Sequence, residues 1–232
     1  MSERFFLGSP ARSGQATLVG DEARHLARVL RAKVGDLVRV FDGSGGEWSA
    51  RVTQIDRDAV ALDVGDQLPT APVAERSVTL AVALPKGDRQ KWLIEKLTEL
   101  GVARLVPLVT ERGVAEATES ARARLERGVV EACKQCGRNT LMEIAEPATL
   151  ESLAAVLPPD ALRLIAHPDG VALDALSRPA PGGAVVAAVG PEGGFTPKEI
   201  LVADRQGFER ASLGPHILRI ETAAIALAAR LM

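Results

Sequence analysis

Ala184-Val185-Val186-Ala187-Ala188-Val189-Gly190-Pro191-Glu192-Gly193-Gly194-Phe195-Thr196-Pro197-Lys198-Glu199 is the stretch that decides the fold class. Its first six residues are all apolar and read as a strand. Three glycines, a proline and an acid then fall within residues 190–194, more than a plain turn needs. Glycine reaches positive φ and lets a backbone approach a ligand closely. Thr196-Pro197-Lys198-Glu199 follows with a capping-box pattern and proline at the first helical position. Strand, ligand loop and helix thus come in immediate succession, one unit of an α/β fold. The loop is not a nucleotide P-loop, since no Gly-Lys-Ser/Thr follows, and a dinucleotide fingerprint would open its helix directly.

Outward from this unit, strands alternate with helices. Residues 78–84 are a β-branched apolar run, and Asp88 stands where it can cap a helix whose Trp92, Leu93, Leu97 and Leu100 recur at helical spacing before Gly101. Residues 104–110 read as a strand in which Pro107 implies an edge or a bulge. A helix through Leu125, Val129, Val130 and Cys133 ends at Gly137. Helix 150–157, strand 162–166 and a short helix near 173–176 precede the opening stretch. Helix 197–206, strand 209–213 and helix 222–231 complete the chain. The pattern predicts a mostly parallel sheet flanked by helices, with ligands bound beyond the carboxyl ends of its strands.

Gly65-Asp66-Gln67-Leu68-Pro69-Thr70-Ala71-Pro72 interrupts every periodic pattern and reads as a linker. Residues 1–70 are therefore expected to form one domain and residues 73–232 another. In the first, strands 37–41 and 48–55 flank the turn-rich Asp42-Gly43-Ser44-Gly45-Gly46 as a hairpin, 59–64 adds a strand, and a helix spans 21–32. A small barrel of short strands fits. Gly43-Ser44-Gly45 belongs to that hairpin, not to a nucleotide motif. Arg24, Arg28 and Arg31, at i, i+4 and i+7, share one helix face. Such a face is commonly only solvated surface, and it also suits phosphate contacts. A second basic cluster, Arg122, Arg124, Arg127, Lys134 and Arg138, is interleaved with Glu119, Glu126 and Glu131, which compete for it by intrahelical pairing.

The chain has 232 residues, 47% of them hydrophobic and 25% charged, enough for buried cores in two modest domains. A net charge of −2 confines any nucleic-acid contact to local patches. Aromatics at 3%, with no tyrosine, argue against a broad base-stacking platform. Cys133 and Cys136 offer no disulfide framework. On one helix and without a second ligand pair they read as structural, and His25 and His167 lack spaced partners, so no metal is expected. No apolar run approaches the roughly 20 residues of a membrane span. Met1-Ser2-Glu3-Arg4-Phe5-Phe6 carries no signal-peptide stretch, so no membrane partner and a cytoplasmic location are expected.

A second polar loop, Leu213-Gly214-Pro215-His216-Ile217-Leu218-Arg219-Ile220-Glu221-Thr222-Ala223, enters the last helix. Glu221 near the helix start suits the macrodipole. Arg219 places a cation at the same positive end, which calls for an external anion or a polar partner.

These two loops together closely resemble the RsmE family of 16S rRNA (uracil-N3)-methyltransferases, of the SPOUT superfamily. His25-Leu26-Ala27-Arg28-Val29-Leu30-Arg31, Phe41-Asp42-Gly43, Lys86-Gly87-Asp88, Glu99-Leu100-Gly101-Val102 and Glu131-Ala132-Cys133-Lys134-Gln135-Cys136-Gly137-Arg138 resemble its other signatures in order, so the likeness spans nearly the whole chain. It implies a PUA-like RNA-binding barrel, a SPOUT domain with a trefoil knot, a homodimer, S-adenosyl-L-methionine as cofactor, and 16S rRNA or the assembled small subunit as substrate. The cofactor loops it implies are Ile165, Ala166 and His167, then Gly190, Pro191, Glu192, Gly193 and Gly194, then Leu213, Gly214, Ile217 and Leu218. It also implies that Arg24, Arg28 and Arg31 contact RNA. Family members usually carry arginine where this chain has His216, which is neither a permanent nor a bidentate donor.

Uridine N3 becomes nucleophilic once its proton leaves, and the charge spreads onto the neighbouring carbonyl oxygens. Arg219 is the candidate to stabilise that charge, or to hold a substrate phosphate. Glu221 is the candidate to orient Arg219 or to accept the proton. Orientation is preferred, since a carboxylate of ordinary pKa near ~4.3 is a weak base for this proton. A ribose 2′-oxygen methyltransferase and a non-catalytic RNA-binding assembly factor are the competing readings.

Overall fold

The computed structural model describes residues 3–9, 14–70, 77–114, 118–176 and 182–232. It divides into two compact units, Met1–Val73 with Cys133–Leu141, and Ala74–Ala132 with Met142–Met232.

In the first unit five strands, β1 (Arg4–Phe6), β2 (Ala16–Val19), β3 (Leu37–Phe41), β4 (Glu47–Ile55) and β5 (Ala59–Gln67), form a sheet in the order β1-β3-β4-β5-β2. Register shifts between β4 and β5, after Trp48 and after Val52, add local twist and help the sheet curl around Phe5, Leu18, Leu26, Val40, Val52 and Leu62. The β3–β4 hairpin is as the sequence predicts, with Ser44 N–H donating to Asp42 Oδ1 at 2.9 Å in its loop. Alternation alone does not reveal the three-residue β1 or the four-residue β2. β5 continues through Gln67, so the first residues assigned to the linker are strand, paired as far as Trp48↔Gln67. Ala71 and Pro72 lie outside the described residues.

The helix predicted over 21–32 is shorter and of mixed type. Helix α1 (Gly20–Arg24) passes into a π-helical turn, His25–Val29, in which Leu30 N–H donates to His25 O at 3.0 Å. Arg31 follows in the left-handed region at φ 54°. The wider turn and the reversal remove the 3.6-residue period, so Arg31 does not continue the helical face of Arg24 and Arg28.

The second unit holds a six-stranded parallel sheet in the order β11-β9-β10-β6-β7-β8. Its strands are β6 (Val78–Val82), β7 (Arg104–Pro107), β8 (Glu143–Ile144), β9 (Leu162–Ala172), β10 (Val185–Val189) and β11 (Glu209–Ser212). Its helices are α2 (Asp88–Glu99), α3 (Glu119–Cys136), α4 (Leu150–Ala155), α5 (Pro197–Arg205) and α6 (Ile220–Leu231), and a 3₁₀ turn, Leu173–Ala175, follows β9. The last turn of α3, from Cys133, is grouped with the first unit. On one face of the sheet Ala81, Val106, Ile165, Val186 and Ala188 pack under Leu150 and Leu153 of α4 and Ile200 and Ala203 of α5. On the other, α6 covers β6 and β10 and packs against α2. All five residues of β10 are buried, which is why its sequence lacks polar alternation.

Local differences from expectation have local causes. Gly87, not Asp88, is the N-cap of α2, because its positive φ of 66° makes the turn into the helix. Asp88 remains in the first turn, where its charge suits the dipole. β7 is an interior strand, and Pro107 is tolerated because it ends the strand beyond the two residues paired with β8. β8 has only two residues, too few for a period to show.

Arg4 anchors the first unit. Its guanidinium donates to Glu47 Oε1 (2.8 Å), to Cys133 O (2.6 Å) and to Asn139 Oδ1, and it lies over the Phe41 ring. Arg4→Ala leaves the buried Glu47 carboxylate without its partner and is expected to cost about 3–5 kcal/mol in urea unfolding at neutral pH. A loss under about 1 kcal/mol would return the pair to the class of ordinary surface bridges.

Candidate functional site

Among three neighbouring strands, β11, β9 and β10, the loops after β10 and β11 and a segment looped out of β9 line a cavity of about 440 Å³. The first loop is a bulge within β9. Arg210 pairs with Ile165 but Ala211 pairs with Val171, so residues 166–170 are pushed out of the ladder and Ala166 to Asp169 line the cavity. The bulge closes at Gly170, where a Cβ would sit 2.6 Å from the Arg210 carbonyl oxygen, so only glycine fits. The second loop is the glycine-rich one. Gly194 N–H donates to Pro191 O at 2.8 Å, closing a turn with Gly194 at φ 68°. Its exit is held by both legs of the predicted capping box, Thr196 N–H to Glu199 Oε2 (2.8 Å) and Glu199 N–H to Thr196 Oγ1 (3.3 Å). The third loop is 213–218, before α6.

Of the residues expected to hold a cofactor, Ala166, His167, all of 190–194, Leu213, Gly214, Ile217 and Leu218 line this cavity. Ile165 does not. It is fully buried in the core beneath α4 and α5, because strand alternation turns it away from its neighbour Ala166. Pro168, Asp169, Phe195, Ser212, His216 and Ile220 also line the cavity and were not among the expected cofactor residues. The dipeptide Pro168-Asp169 before Gly170 is a turn signal that could have marked the bulge.

Arg219 is the N-cap of α6, with an exposed side chain that makes no cap bond. Among the described residues no ion pair joins it to Glu221. The Glu221 side chain is 6% exposed, its Oε2 lies 3.8 Å from Nη1 of Arg89, and it has no hydrogen-bond partner. Arg89 also donates to Glu192 Oε1 at 3.1 Å, and Arg112 donates to Gly193 O at 2.6 Å. Sequence reasoning missed both arginines, since each reaches the loop from a distant segment.

In the first unit, Arg24 pairs with Asp21, and Arg28 donates to Arg57 O at 3.2 Å while remaining exposed. In the second basic cluster one of the expected intrahelical pairs is present, Arg122 with Glu126, and further contacts run to residues outside the helix. Arg122 pairs with Glu126 and Glu146, Arg124 donates to Gln90 Oε1, and Lys134 pairs with Glu22. Burial pushes the Cys133 thiol up to about 11, so it stays protonated at neutral pH, and Cys136 is exposed. Among the described residues no three His, Cys, Asp or Glu side chains gather around a possible metal position.

Because the bulge depends on backbone contact at Gly170, Gly170→Ala is expected to lower stability by about 1–3 kcal/mol in denaturant unfolding. An unchanged midpoint would mean that the 166–170 loop relaxes freely.

Residues 73–232 match the family described as RNA methyltransferase domain, and residues 18–65 match RNA methyltransferase PUA domain. The ribosomal RNA small subunit methyltransferase E of Synechocystis is 37% identical over 91% of this chain and 71% of that protein. Its Rickettsia conorii namesake is 32% identical over 93% of this chain and 88% of that protein. The crystal structure of ribosomal RNA small subunit methyltransferase E from Neisseria gonorrhoeae, bound to S-adenosyl methionine, superposes with a TM-score of 0.91 at 31% identity, covering 100% of this chain and 97% of that one. A parallel sheet with ligand loops at its carboxyl ends, an accompanying PUA-like unit and end-to-end similarity lead to one conclusion: the chain belongs to the RNA methyltransferase family that includes ribosomal RNA small subunit methyltransferase E.

Proposed function

We propose that the protein transfers a methyl group from S-adenosyl-L-methionine to N3 of a uridine in 16S rRNA. The observation that carries this reading is the cavity built from three loops of adjacent strands. Its volume of about 440 Å³ lies within the range of small-molecule sites, roughly 300–1,000 Å³. Gly190, Gly193, Gly194 and Gly214 line the cavity without side chains of their own, which lets a ligand approach the backbone closely. Leu218, Ile220 and Phe195 supply apolar surface, so the residues present fit this cofactor.

S-adenosylmethionine supplies the methyl group as a sulfonium. The chain's part is to align N3 behind that methyl and to stabilise the charge that develops on the uracil. Arg219, exposed at the mouth of α6, is assigned to the uracil carbonyl oxygens. Glu221 is assigned to support behind the cavity lining, not to the N3 proton or to orienting Arg219, because its carboxylate is buried and faces Arg89. His216 borders the cavity and is given no anion-binding role, since histidine is neither a permanent nor a bidentate donor.

Residues 1–70 are assigned to RNA binding and 73–232 to catalysis. Arg24 and Arg28 on the exposed helical turn, and Arg31 beyond it, are the proposed phosphate contacts. Family membership further supports a trefoil knot around the cavity loops and a homodimer. Ile217, 89% exposed at the cavity rim, is the kind of apolar residue such an interface covers. No described helix is long and apolar enough to cross a membrane, and action on ribosomal RNA would place the protein in the cytoplasm.

The direct test incubates the protein with S-adenosylmethionine and either 16S rRNA or small subunits from a strain lacking the enzyme, followed by nucleoside analysis. N3-methyluridine is expected, while a ribose methyl or no methyl overturns the reading. Arg219→Ala should depress turnover by about 10²-fold or more with donor affinity nearly intact. A raised KM for RNA at unchanged turnover would instead assign Arg219 to a phosphate. Arg28→Ala should lower the slope of log binding constant against log salt by about 0.7–0.9, one phosphate's worth, and an identical slope would remove it from the RNA contacts.

A further inference from the structure

Lys86-Gly87-Asp88 leads into a residue that the reaction described above does not use. Gly87 turns at φ 66°, and Gln90 N–H donates to its carbonyl at 3.1 Å. The turn places Arg89 at the second position of α2, from which its guanidinium meets two carboxylates. Nη2 donates to Glu192 Oε1 at 3.1 Å, and Nη1 stands 3.8 Å from Glu221 Oε2. Glu192 belongs to the glycine-rich loop, and Glu221 to the first turn of α6, whose neighbour Ile220 also lines the cavity. One arginine therefore joins a loop that lines the cavity to the first turn of the helix behind its lining.

The two contacts are physically unequal. Arg89 and Glu192 are 38% and 40% exposed, so solvent screens their attraction and the pair alone holds little. Glu221 is 6% exposed, and its Oε2 is buried without a hydrogen-bond partner. A carboxylate in that position is costly unless a cation stands close, and Arg89 is the cation within ion-pair distance among the described residues. The buried contact thus keeps Arg89 in place, and the exposed one transmits that placement to the loop. Arg112 holds the adjacent residue of the loop through Gly193 O. Glycine-rich backbone has few side chains to pack, so external grips of this kind replace packing in setting its position.

We propose that Arg89 is a positioning residue for methyl transfer, clamping Glu192 of the glycine-rich loop to Glu221 of α6 and so setting the width of the donor cavity. The inference rests on that cavity being the methyl-donor site. Arg89 touches no reacting atom and acts through the two carboxylates. Lysine cannot replace it fully, because a single ammonium lacks the planar fork that serves two partners at once.

The test measures S-adenosylmethionine binding by titration calorimetry, donor KM and kcat, and melting temperature. It uses the full-length wild type, Arg89→Ala, Arg89→Lys, Glu192→Gln and the double variant Arg89→Ala/Glu192→Gln. Lys91→Ala, exposed on the same helix, is the control and should bind donor as the wild type does. Arg89→Ala is expected to weaken donor binding by about tenfold, raising KM for the donor more than it lowers kcat. Arg89→Lys should recover part of the loss. The double variant should bind no worse than Arg89→Ala alone, because the coupled partner is already gone. Should Arg89→Ala fail to fold, Glu192→Gln carries the test with an expected loss of about threefold. A lowered melting temperature with unchanged donor affinity, or strictly additive losses in the double variant, would overturn the clamp. A wild type that takes up no donor would instead overturn the methyltransferase reading itself.

Discussion

Burial of β10 on both faces is the constraint from which the rest of the catalytic unit follows. Each residue from Val185 to Val189 is enclosed by helices above and below the sheet, so the sheet's centre admits no polar group. Polar chemistry is displaced to the carboxyl end of the strand, where the chain leaves the core at Gly190. β9 bulges out of the ladder and β11 ends nearby, and three loops meet where none of them alone could form an enclosure.

The loops are shaped mainly by what they lack. At Gly170 the absence of a Cβ lets the β9 bulge close onto the β11 backbone, and at Gly194 it permits a positive φ that completes the turn. A wall built this way presents peptide groups to a ligand but has little packing to hold it. Capping of α5 by Thr196 and Glu199, and the reach of Arg89 and Arg112 into the glycine-rich loop, provide rigidity that the loop's own residues do not.

The first unit solves a different problem, a small sheet with a modest core. Arg4 compensates by satisfying Glu47, Asn139 and the carbonyl of Cys133 from a largely buried position. The π-helical turn at His25–Val29 shows how a local departure rearranges the charges on a surface. It keeps Arg24 and Arg28 exposed but moves Arg31 off their helical face, so the basic surface is a property of the irregular turn rather than of a regular helix.

Hydrophobic period and turn chemistry were sufficient for the long elements of the parallel sheet, the β3–β4 hairpin and the capping box of α5, because each depends on neighbours within a few residues. The same local signals marked the glycine-rich loop and the entry to α6 as a candidate site, and eleven of the twelve expected cofactor residues line the cavity found there. The short strands β1, β2 and β8 were not legible, since they show no alternation of their own and exist through pairing with distant strands. Nor were the partners of Glu221 and Glu192. Arg89 lies 103 residues before Glu192, and only the folding of α2 against α6 brings its charge to both carboxylates. By itself the sequence determined the strands, helices and loops of the parallel-sheet unit that carry a local period or turn signal. The tertiary structure alone decided which charges meet, because electrostatic contact depends on distance in space, and spacing along the chain does not encode it.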